Sequence, residues 1–417
     1  MSKSTKIGDV VVANPKISIS KDCVLPYVPM EEIIPNGRYV YSSQERTYKG
    51  GTRFKNNDVL FARITPCLQN RKIGQYISTS KTNMPAYGST EYFIFRAIEG
   101  VTDPAFMFYL LKSDLVVKTA INSMKGASGR QRAEIQPILD LVITIPSYRA
   151  QRIIGEFLST YDNLIENNNH RIAILEAMAQ KLYREWFVHF RFSGHENVKM
   201  VESEIGMIPE GWQVGTIETN TILLRRGITP KYDETASKTV INQKCIRDYS
   251  VDMGVARQQS KEYPDELTLQ YGDILVNSTG AGTLGRVGQF FSNAVNTTVD
   301  SHVTIVRPKK DCTCYIGAIL KSLQSELMDM GVGSTNQTEL NRDLIKGISV
   351  VYPSDKVLNL FECSVNNWMS LKQKLVSQNI NLRKTRDLLL PRLIYGDIDV
   401  SKLNIPIREE QLHAELS

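Results

Sequence analysis

"GDILVNSTGAGTLGRVGQF", running from Gly272 to Phe290, contains Gly280-Ala281-Gly282-Thr283-Leu284-Gly285, which fits the G-x-G-x-x-G pattern of dinucleotide-binding loops. In those folds a strand leads into the glycines and a helix leaves them, so that a pyrophosphate rests on the helix N-terminus. Here Gly285 is followed by Arg286-Val287-Gly288-Gln289-Phe290-Phe291, which is β-favouring, broken by glycine and without the period of an amphipathic helix. Asp300 lies where a ribose-binding acid would be sought, but Val299 to Val306 alternates and opens a strand rather than closing one. A glycine-rich loop between two strands is the leading reading. A nucleotide-dependent enzyme built around Gly280 to Gly285 is the alternative.

Working outward, the flanks of this stretch recur earlier in the chain. Asn57-Asp58-Val59-Leu60 matches Gly272-Asp273-Ile274-Leu275 at an offset of 215, and Lys72-Ile73-Gly74-Gln75-Tyr76 matches Arg286-Val287-Gly288-Gln289-Phe290 at 214. Ser89 to Arg96 matches Asp300 to Arg307 at 211. Each half then carries a short helical segment, Ala105 to Leu111 and Tyr315 to Leu320, and a glycine-bearing loop, Lys125 to Gln131 and Gly331 to Gln337. A drifting offset is what small loop deletions produce, so the chain reads as a tandem duplication. The first-half partner of the glycine stretch, Phe61 to Arg71, keeps the flanking strands and has no glycine. Strands that persist while their loop chemistry changes describe a scaffold presenting variable loops, which weighs against a cofactor.

A second duplicated element follows each β-rich part. Ile154, Tyr161, Asn168, Leu175 and Leu182 are seven apart, and Leu158, Ile165, Ile172, Ala179 and Trp186 form the row four further on. This seam predicts a long coiled-coil helix in which polar Asn168 is suited to fixing register. At an offset of 207 the second half gives Phe361, Trp368, Leu375, Leu382 and Leu389; its other row, Val365, Lys372, Asn379 and Arg386, is mostly polar and predicts a narrower apolar stripe. The expected architecture is α+β: a duplicated β-rich domain, each copy followed by a helix, the helices packing as an antiparallel coiled coil with pseudo-two-fold symmetry. The expected boundaries are residues 1–147 and 204–352 for the two β-rich domains, 148–192 and 353–417 for the helical regions, and 193–203 for a linker.

Composition narrows the function. A chain of 417 residues with 42% apolar and 23% charged residues is ordinary for a soluble multidomain protein. No apolar run approaches the roughly 20 residues of a membrane span, and "MSKSTKIGDVVV" has no signal-peptide core. Six scattered cysteines suit free thiols in the cytoplasm, and Cys312-Thr313-Cys314 has no histidine near it in sequence to complete a metal site. There is no H-E-x-x-H and no phosphate-binding G-x-x-x-x-G-K-[ST]. Residues 1–147 hold 19 Lys and Arg against 12 Asp and Glu, a net +7 that suits a polyanion such as DNA; residues 200–352 hold 15 against 18, a net −3. The second domain would therefore need a local basic patch, such as Arg225 to Tyr232, which reads equally well as a solvated strand end.

In order along the chain, Leu182-Tyr183-Arg184-Glu185-Trp186-Phe187-Val188-His189-Phe190, Ile208-Pro209-Glu210-Gly211-Trp212, Arg226-Gly227-Ile228-Thr229-Pro230, Tyr271-Gly272-Asp273-Ile274-Leu275 and Leu388-Leu389-Leu390-Pro391-Arg392-Leu393 give the chain its family likeness. It resembles the DNA-specificity (S) subunit of type I restriction-modification systems, built from two target-recognition domains alternating with two helical regions. The first domain departs from the pattern, showing Asn57-Asp58-Val59-Leu60 in place of Gly-Asp-Ile-Leu and lacking Gly-x-Thr-Pro. The resemblance implies a non-catalytic, cytoplasmic subunit without cofactor or metal. Such a subunit reads an asymmetric two-part sequence in double-stranded DNA. It positions methyltransferase subunits there, two being expected, and through them restriction and translocation subunits. The only Asn-Pro is Asn14-Pro15-Lys16, not the Asn-Pro-Pro-Tyr type of loop an amino-methyltransferase needs.

Base readers are expected on loops reaching the major groove, where Arg suits guanine and Asn or Gln suits adenine. In the second domain these are Asn242, Gln243, Asn277, Ser278, Thr279, Asn336 and Gln337, with Arg225, Arg226 and Lys231 on phosphates. In the first they are Arg63, Asn70, Arg71, Lys125, Arg130 and Gln131, with Arg46, Lys49 and Arg53 on the backbone.

Overall fold

A computed structural model describes residues 3–79, 84–280, 282–293, 295–331 and 339–400. Two compact units result, Met1–Asn167 with Gln378–Ser417, and Asn168–Ser377. The division falls inside both long helices, so each unit owns one β-rich part and a segment of each helix.

In the first unit, Lys3–Lys6 pairs antiparallel with Val142–Ile145 and ties the start of the domain to its end. A five-stranded sheet runs in the order Val11–Ala13, Tyr92–Ala97, Val59–Ala62, Ile73–Tyr76, Tyr39–Val40. A four-stranded sheet runs Gln44–Thr47, Val24–Val28, Ala86–Gly88, Thr52–Phe54 and includes one parallel pairing, Tyr27 with Tyr87. The second unit repeats the plan. Gln213–Thr216 pairs with Ser349–Tyr352, a four-stranded sheet runs Thr221–Arg226, Val303–Pro308, Ile274–Asn277, Val287–Gln289, and a three-stranded sheet runs Arg257–Gln259, Lys238–Ile241, Thr297–Val299. The last two of these strands are again parallel. Helices Pro104–Lys112 and Asp114–Asn122 correspond to Thr313–Ser322 and Gln324–Asp329. The duplication read from offsets is therefore a duplication of strand order and helix order.

Val59–Ala62 and Val303–Pro308 are buried along their whole length, because each central strand is covered on both faces. The buried carboxylates Asp58 and Asp273, which lead into the strands Val59–Ala62 and Ile274–Asn277, need a partner, and both copies supply the same one from the adjacent strand. Arg96 grips Asp58 through Nε at 2.7 Å and Nη2 at 2.6 Å, and Arg307 grips Asp273 at 2.8 and 2.7 Å. The acceptor carboxylate also caps its own turn, taking Lys55 N at 2.7 Å in one unit and Gln270 N at 2.8 Å in the other. The aspartate of the Asn-Asp-Val-Leu and Gly-Asp-Ile-Leu stretches is thus a structural clamp.

The long helices are Tyr148–Tyr183, closed by a wider π turn over Arg184–Val188, and Asp355–Ile394. On the first, Ile154, Leu158, Ile165, Asn168 and Leu175 are buried, and Tyr161, Ile172, Leu182 and Trp186 are half-buried. On the second, Phe361, Val365 and Leu375 are buried, with Trp368, Leu382 and Leu389 half-buried. In the second unit Glu176 meets Lys372, and ten residues later Trp186 lies 6.3 Å from Phe361, so the segments run antiparallel.

The expectation of a narrower stripe on the second helix is corrected. Lys372, Asn379 and Arg386 are buried, at 9%, 3% and 1% exposure. They stay charged or polar inside because the first helix meets them: Arg386 pairs with Asp162 inside the first unit and Lys372 with Glu176 inside the second. Asp162 also accepts the Tyr109 hydroxyl, and Ser159 and Tyr109 both accept from the buried Arg38. Arg38 Nε in turn reaches Gln75 at 3.0 Å, so a polar chain links sheet, short helix and seam within the unit.

The aromatic motifs are core. Phe187 is 5.9 Å from Trp212, 4.5 Å from Tyr315 and 4.9 Å from Phe361, and Phe192 lies 5.0 Å from Trp212. The stretches around Trp186 and Trp212 therefore seal the second unit where chain leaves its helix and enters its sheets.

Candidate nucleic-acid interface

In each unit two loops are stitched side by side at the end of the central strands. In the first, Arg63 N donates to Glu91 O at 3.0 Å, Ala133 N to Arg63 O at 2.8 Å and Thr65 N to Gln131 O at 2.9 Å, with a bridge between Ile64 and Arg132. In the second, Ser278 N donates to His302 O at 2.8 Å and Leu340 N to Ser278 O at 2.9 Å, with a bridge between Thr279 and Glu339. These are equivalent positions under the sequence repeat. The segments 63–72 and 124–133 form one platform, and 277–286 and 339–341 form its counterpart.

A cleft opens beside each platform where the first sheet hands the chain to the second. In the first unit Lys16, Arg53, Arg63, Thr52 and Thr90 line it. In the second Arg225, Arg226, Arg342, Asn341 and Glu339 do so. The handover leaves no room for a side chain at Gly227, where a Cβ would meet Val299 O at 1.9 Å. Such a Cβ-free crossing is what lets the strand end swing out to form the cleft wall.

The cationic candidates are held by neighbours. Arg46 stacks 4.2 Å over Tyr27, Arg53 donates to the Tyr48 hydroxyl at 2.7 Å and Ile17 O at 2.6 Å, and Lys125 pairs with Glu134 at 2.8 Å. Arg71 is ion-paired with Asp114 at 2.5 Å. Arg63 and Arg132 share Glu91, at 3.3 and 2.6 Å, and hydrogen bonds from Arg132, with the two positive charges, hold that carboxyl below the usual range. Lys49, Asn70 and Arg130 are exposed, and Gln131 is half-buried. In the second unit Arg225 pairs with Glu266, Arg226 pairs with Glu339 at 2.7 Å, and Lys231 is exposed.

The polar candidates of the second unit mostly serve the fold. Asn242 caps a turn through Lys244 N at 2.9 Å, Gln243 Nε2 donates to Thr279 Oγ1 at 2.9 Å, and Thr279 Oγ1 lies 2.8 Å from His302 Nδ1. Asn277 and Ser278 are fully buried, Asn277 donating to Gln243 O at 3.2 Å and Ser278 bonding the Thr304 hydroxyl. Their expected contact with bases is corrected on that ground: in this conformation neither side chain reaches the surface. Asn336 and Gln337 lie outside the described residues. Sequence reasoning missed Lys16, Glu91, Arg132, Glu339 and Arg342. The signal for Arg132 and Glu339 was a charge one and two residues after the two glycine-bearing loops.

The glycine stretch behaves as a hairpin. Ile274–Asn277 enters it and Val287–Gln289 leaves it antiparallel to the first, with no helix following Gly285. Gly280, Gly282 and Gly285 have φ of +103°, +74° and +74°, so turn geometry accounts for these glycines. The nucleotide-dependent alternative finds no support.

A tandem pair of loop-presenting scaffolds defines a binding protein of duplicated design. Residues 2–177 match the family model described as "Type I restriction modification DNA specificity domain". The chain is 24% identical over 401 residues to the type I restriction enzyme MjaIX specificity subunit of Methanocaldococcus jannaschii, covering 91% of this chain and 88% of the relative. It is 22% identical over 418 residues to the HindI specificity subunit of Haemophilus influenzae, covering 82% and 87%. A crystal structure of a type I restriction-modification S subunit from M. genitalium shares the fold, with a TM-score of 0.55 at 17% identity over 94% of this chain and 96% of that one. The chain is thus similar, over most of its length, to proteins named as type I restriction enzyme specificity subunits, and its first part matches their DNA specificity domain.

Proposed function

We propose that this chain reads a two-part DNA sequence, one part through each unit, and holds methyltransferase subunits on it. The observation that carries the reading is the pair of stitched loop platforms, each beside a cleft lined by arginines, at equivalent positions of a duplicated fold. A duplicated scaffold whose loops differ suits a target whose halves differ. Clefts with paired arginines suit phosphates, which fix register while neighbouring side chains meet base edges. Domains 1–147 and 204–352 are the reading modules. Arg46, Lys49, Arg53, Arg225, Arg226 and Lys231 are the backbone set, and Arg63, Asn70, Arg71, Lys125, Arg130, Gln131, Asn242, Gln243, Thr279, Asn336 and Gln337 are the base-reading set. Two methyltransferase subunits, with restriction subunits joining through them, complete the assembly in the cytoplasm; no described helix is long and apolar enough to cross a membrane.

The test is a domain exchange. Residues 204–352 are replaced by the equivalent domain of a relative with a different methylation motif, the system is expressed with its methyltransferase, and native DNA is sequenced for methylated bases. One half of the motif should change and the other stay. A change in both halves, or in neither, rejects the reading.

A further inference from the structure

The loop Lys125–Gln131 has little of its own to hold it beyond a turn bond from Arg130 N to Ala127 O at 3.1 Å and the exposed Lys125–Glu134 pair. Lys125 to Arg130 are exposed, and Gly126 and Gly129 have φ of +118° and +79°. Its place is set at the base, where Lys125 and Arg132 exchange backbone hydrogen bonds at 3.0 and 2.9 Å and Thr65 N holds Gln131 O. The base is then locked to the central strand by a side chain. Arg132 donates Nε to both oxygens of Glu91, at 2.9 and 3.0 Å, and Nη2 to Oε1 at 2.6 Å, while Arg63 lies on the same carboxylate. A planar guanidinium fork on a carboxylate fixes orientation as well as distance.

The second unit also ties its loop base with an ion pair, but draws the partner from another strand; the copy of Glu91 there is His302. Glu339 occupies the position of Arg132, and its partner is Arg226 on the neighbouring strand, which also donates Nη2 to Leu340 O at 3.1 Å. Only the loop-base member of the pair, Arg132 or Glu339, keeps its place; its partner comes from a different element in each unit. An inherited ion pair would keep its residues; ion pairs reached from differently placed partners in the two units mark the loop base as a point that is held in both.

We propose that Glu91 is a positioning residue, which through Arg132 and Arg63 sets the loop Lys125–Gln131 in reading register on DNA. The inference rests on the DNA-reading function above. Glu91 gives it a distinctive consequence. A carboxylate on a phosphate-facing surface opposes binding to any DNA, so its removal helps general affinity while harming selectivity. A merely structural residue would harm both.

The experiment uses the full-length chain assembled with its methyltransferase. Binding is measured to a duplex carrying the methylation motif, to duplexes with one base pair changed in either half, and to a motif-free duplex. Glu91→Gln should lower discrimination in one half-site about tenfold, leave the other half-site unchanged, and keep or raise affinity for motif-free DNA. Arg132→Gln should lower the same discrimination, the double variant should be no worse than either single one, and Arg132→Lys should recover part of it. Unchanged discrimination in Glu91→Gln overturns the proposal, as does a parallel loss on all duplexes or in both half-sites. If the unaltered complex shows no discrimination at all, the DNA-reading function itself fails; that outcome is separate, because it appears before any substitution.

Discussion

Removing Asp273 should cripple the second unit far more than removing Asp58 cripples the first, although the two aspartates are copies. The difference lies in what each substitution abandons. Arg307 has a side chain only 8% exposed and Asp273 only 1%, so Asp273→Ala leaves a guanidinium in the core with Glu266 O at 3.0 Å and Thr268 O at 2.8 Å as its remaining acceptors. Breaking a buried pair from one side costs about 3–5 kcal/mol. Arg96 is 31% exposed and can turn to water, so Asp58→Ala should cost about 1–3 kcal/mol, the range for a lost charge-assisted bond. Two units make a single unfolding free energy ill-defined, so hydrogen exchange on Tyr92–Ala97 and Val303–Pro308 is the assay, read as the opening energy of each strand. If Asp273→Ala opens its strand no more easily than Asp58→Ala opens its own, burial is not what makes the clamp strong. Asp273→Leu with Arg307→Met supplies the control: it should recover most of the loss, because an apolar pair of similar volume carries no stranded charge.

Burial pushes the Lys112 ammonium, which donates to Gly37 O at 2.9 Å, down to about 7, with Arg386 and Arg71 adding to the effect and Asp162 and Asp387 opposing it. A folded-state value below the ordinary 10.5 means the unfolded chain binds the extra proton between these limits. Stability of the first unit should therefore rise from about pH 7 towards pH 10, by up to about 1.4 kcal/mol per pH unit, and Lys112→Met should remove that slope in denaturation curves taken across the range. Arg386→Met should cost about 3–5 kcal/mol by stranding Asp162, while Arg386→Met with Asp162→Leu should restore most of it in the same measurement. Lys49→Ala should weaken binding to all DNA sequences alike and lower the salt slope by about 1, whereas Arg130→Ala should relax one base pair at a cost of about 1–3 kcal/mol; equal loss on every duplex would make Arg130 a backbone contact.

The duplication was legible because strands resist insertion while loops do not, so offsets of 215, 214 and 211 survived in stretches that became paired strands. The clamp was legible too and went unread: among the aligned stretches Asp58 with Asp273 and Arg96 with Arg307 are identical charges, and a charge kept in a strand flanked by apolar residues has a buried partner. The polar row of the second helix misled for a physical reason. Periodicity assigns charge to the solvent side, and it has no access to what a second helix brings. Asp162 and Glu176 each stand one residue after a seam position, Tyr161 and Leu175, and only an antiparallel alignment sets them against Arg386 and Lys372. The loop candidates were the least legible, since Asn and Gln bond backbone and neighbouring loops as readily as a base: Asn242 caps its own turn, and Gln243 and Asn277 tie two distant loops together.

Net charge was a blunter guide to the ligand than pairing. The excess of cations in residues 1–147 and of anions in residues 200–352 suggests one DNA-binding domain and one poor one. Yet several cations at each platform are paired: Arg63 and Arg132 with Glu91 in the first unit, Arg225 with Glu266 and Arg226 with Glu339 in the second. A paired arginine that keeps part of its guanidinium exposed loses less side-chain freedom on meeting a phosphate or a guanine, because its carboxylate has already fixed the fork. The acidic residues of the second unit then supply order rather than repulsion alone. An anion that penalised every duplex equally would leave discrimination unchanged, so the selectivity must come from the fork that the carboxylate orients, which only a sequence offering matched acceptors can use.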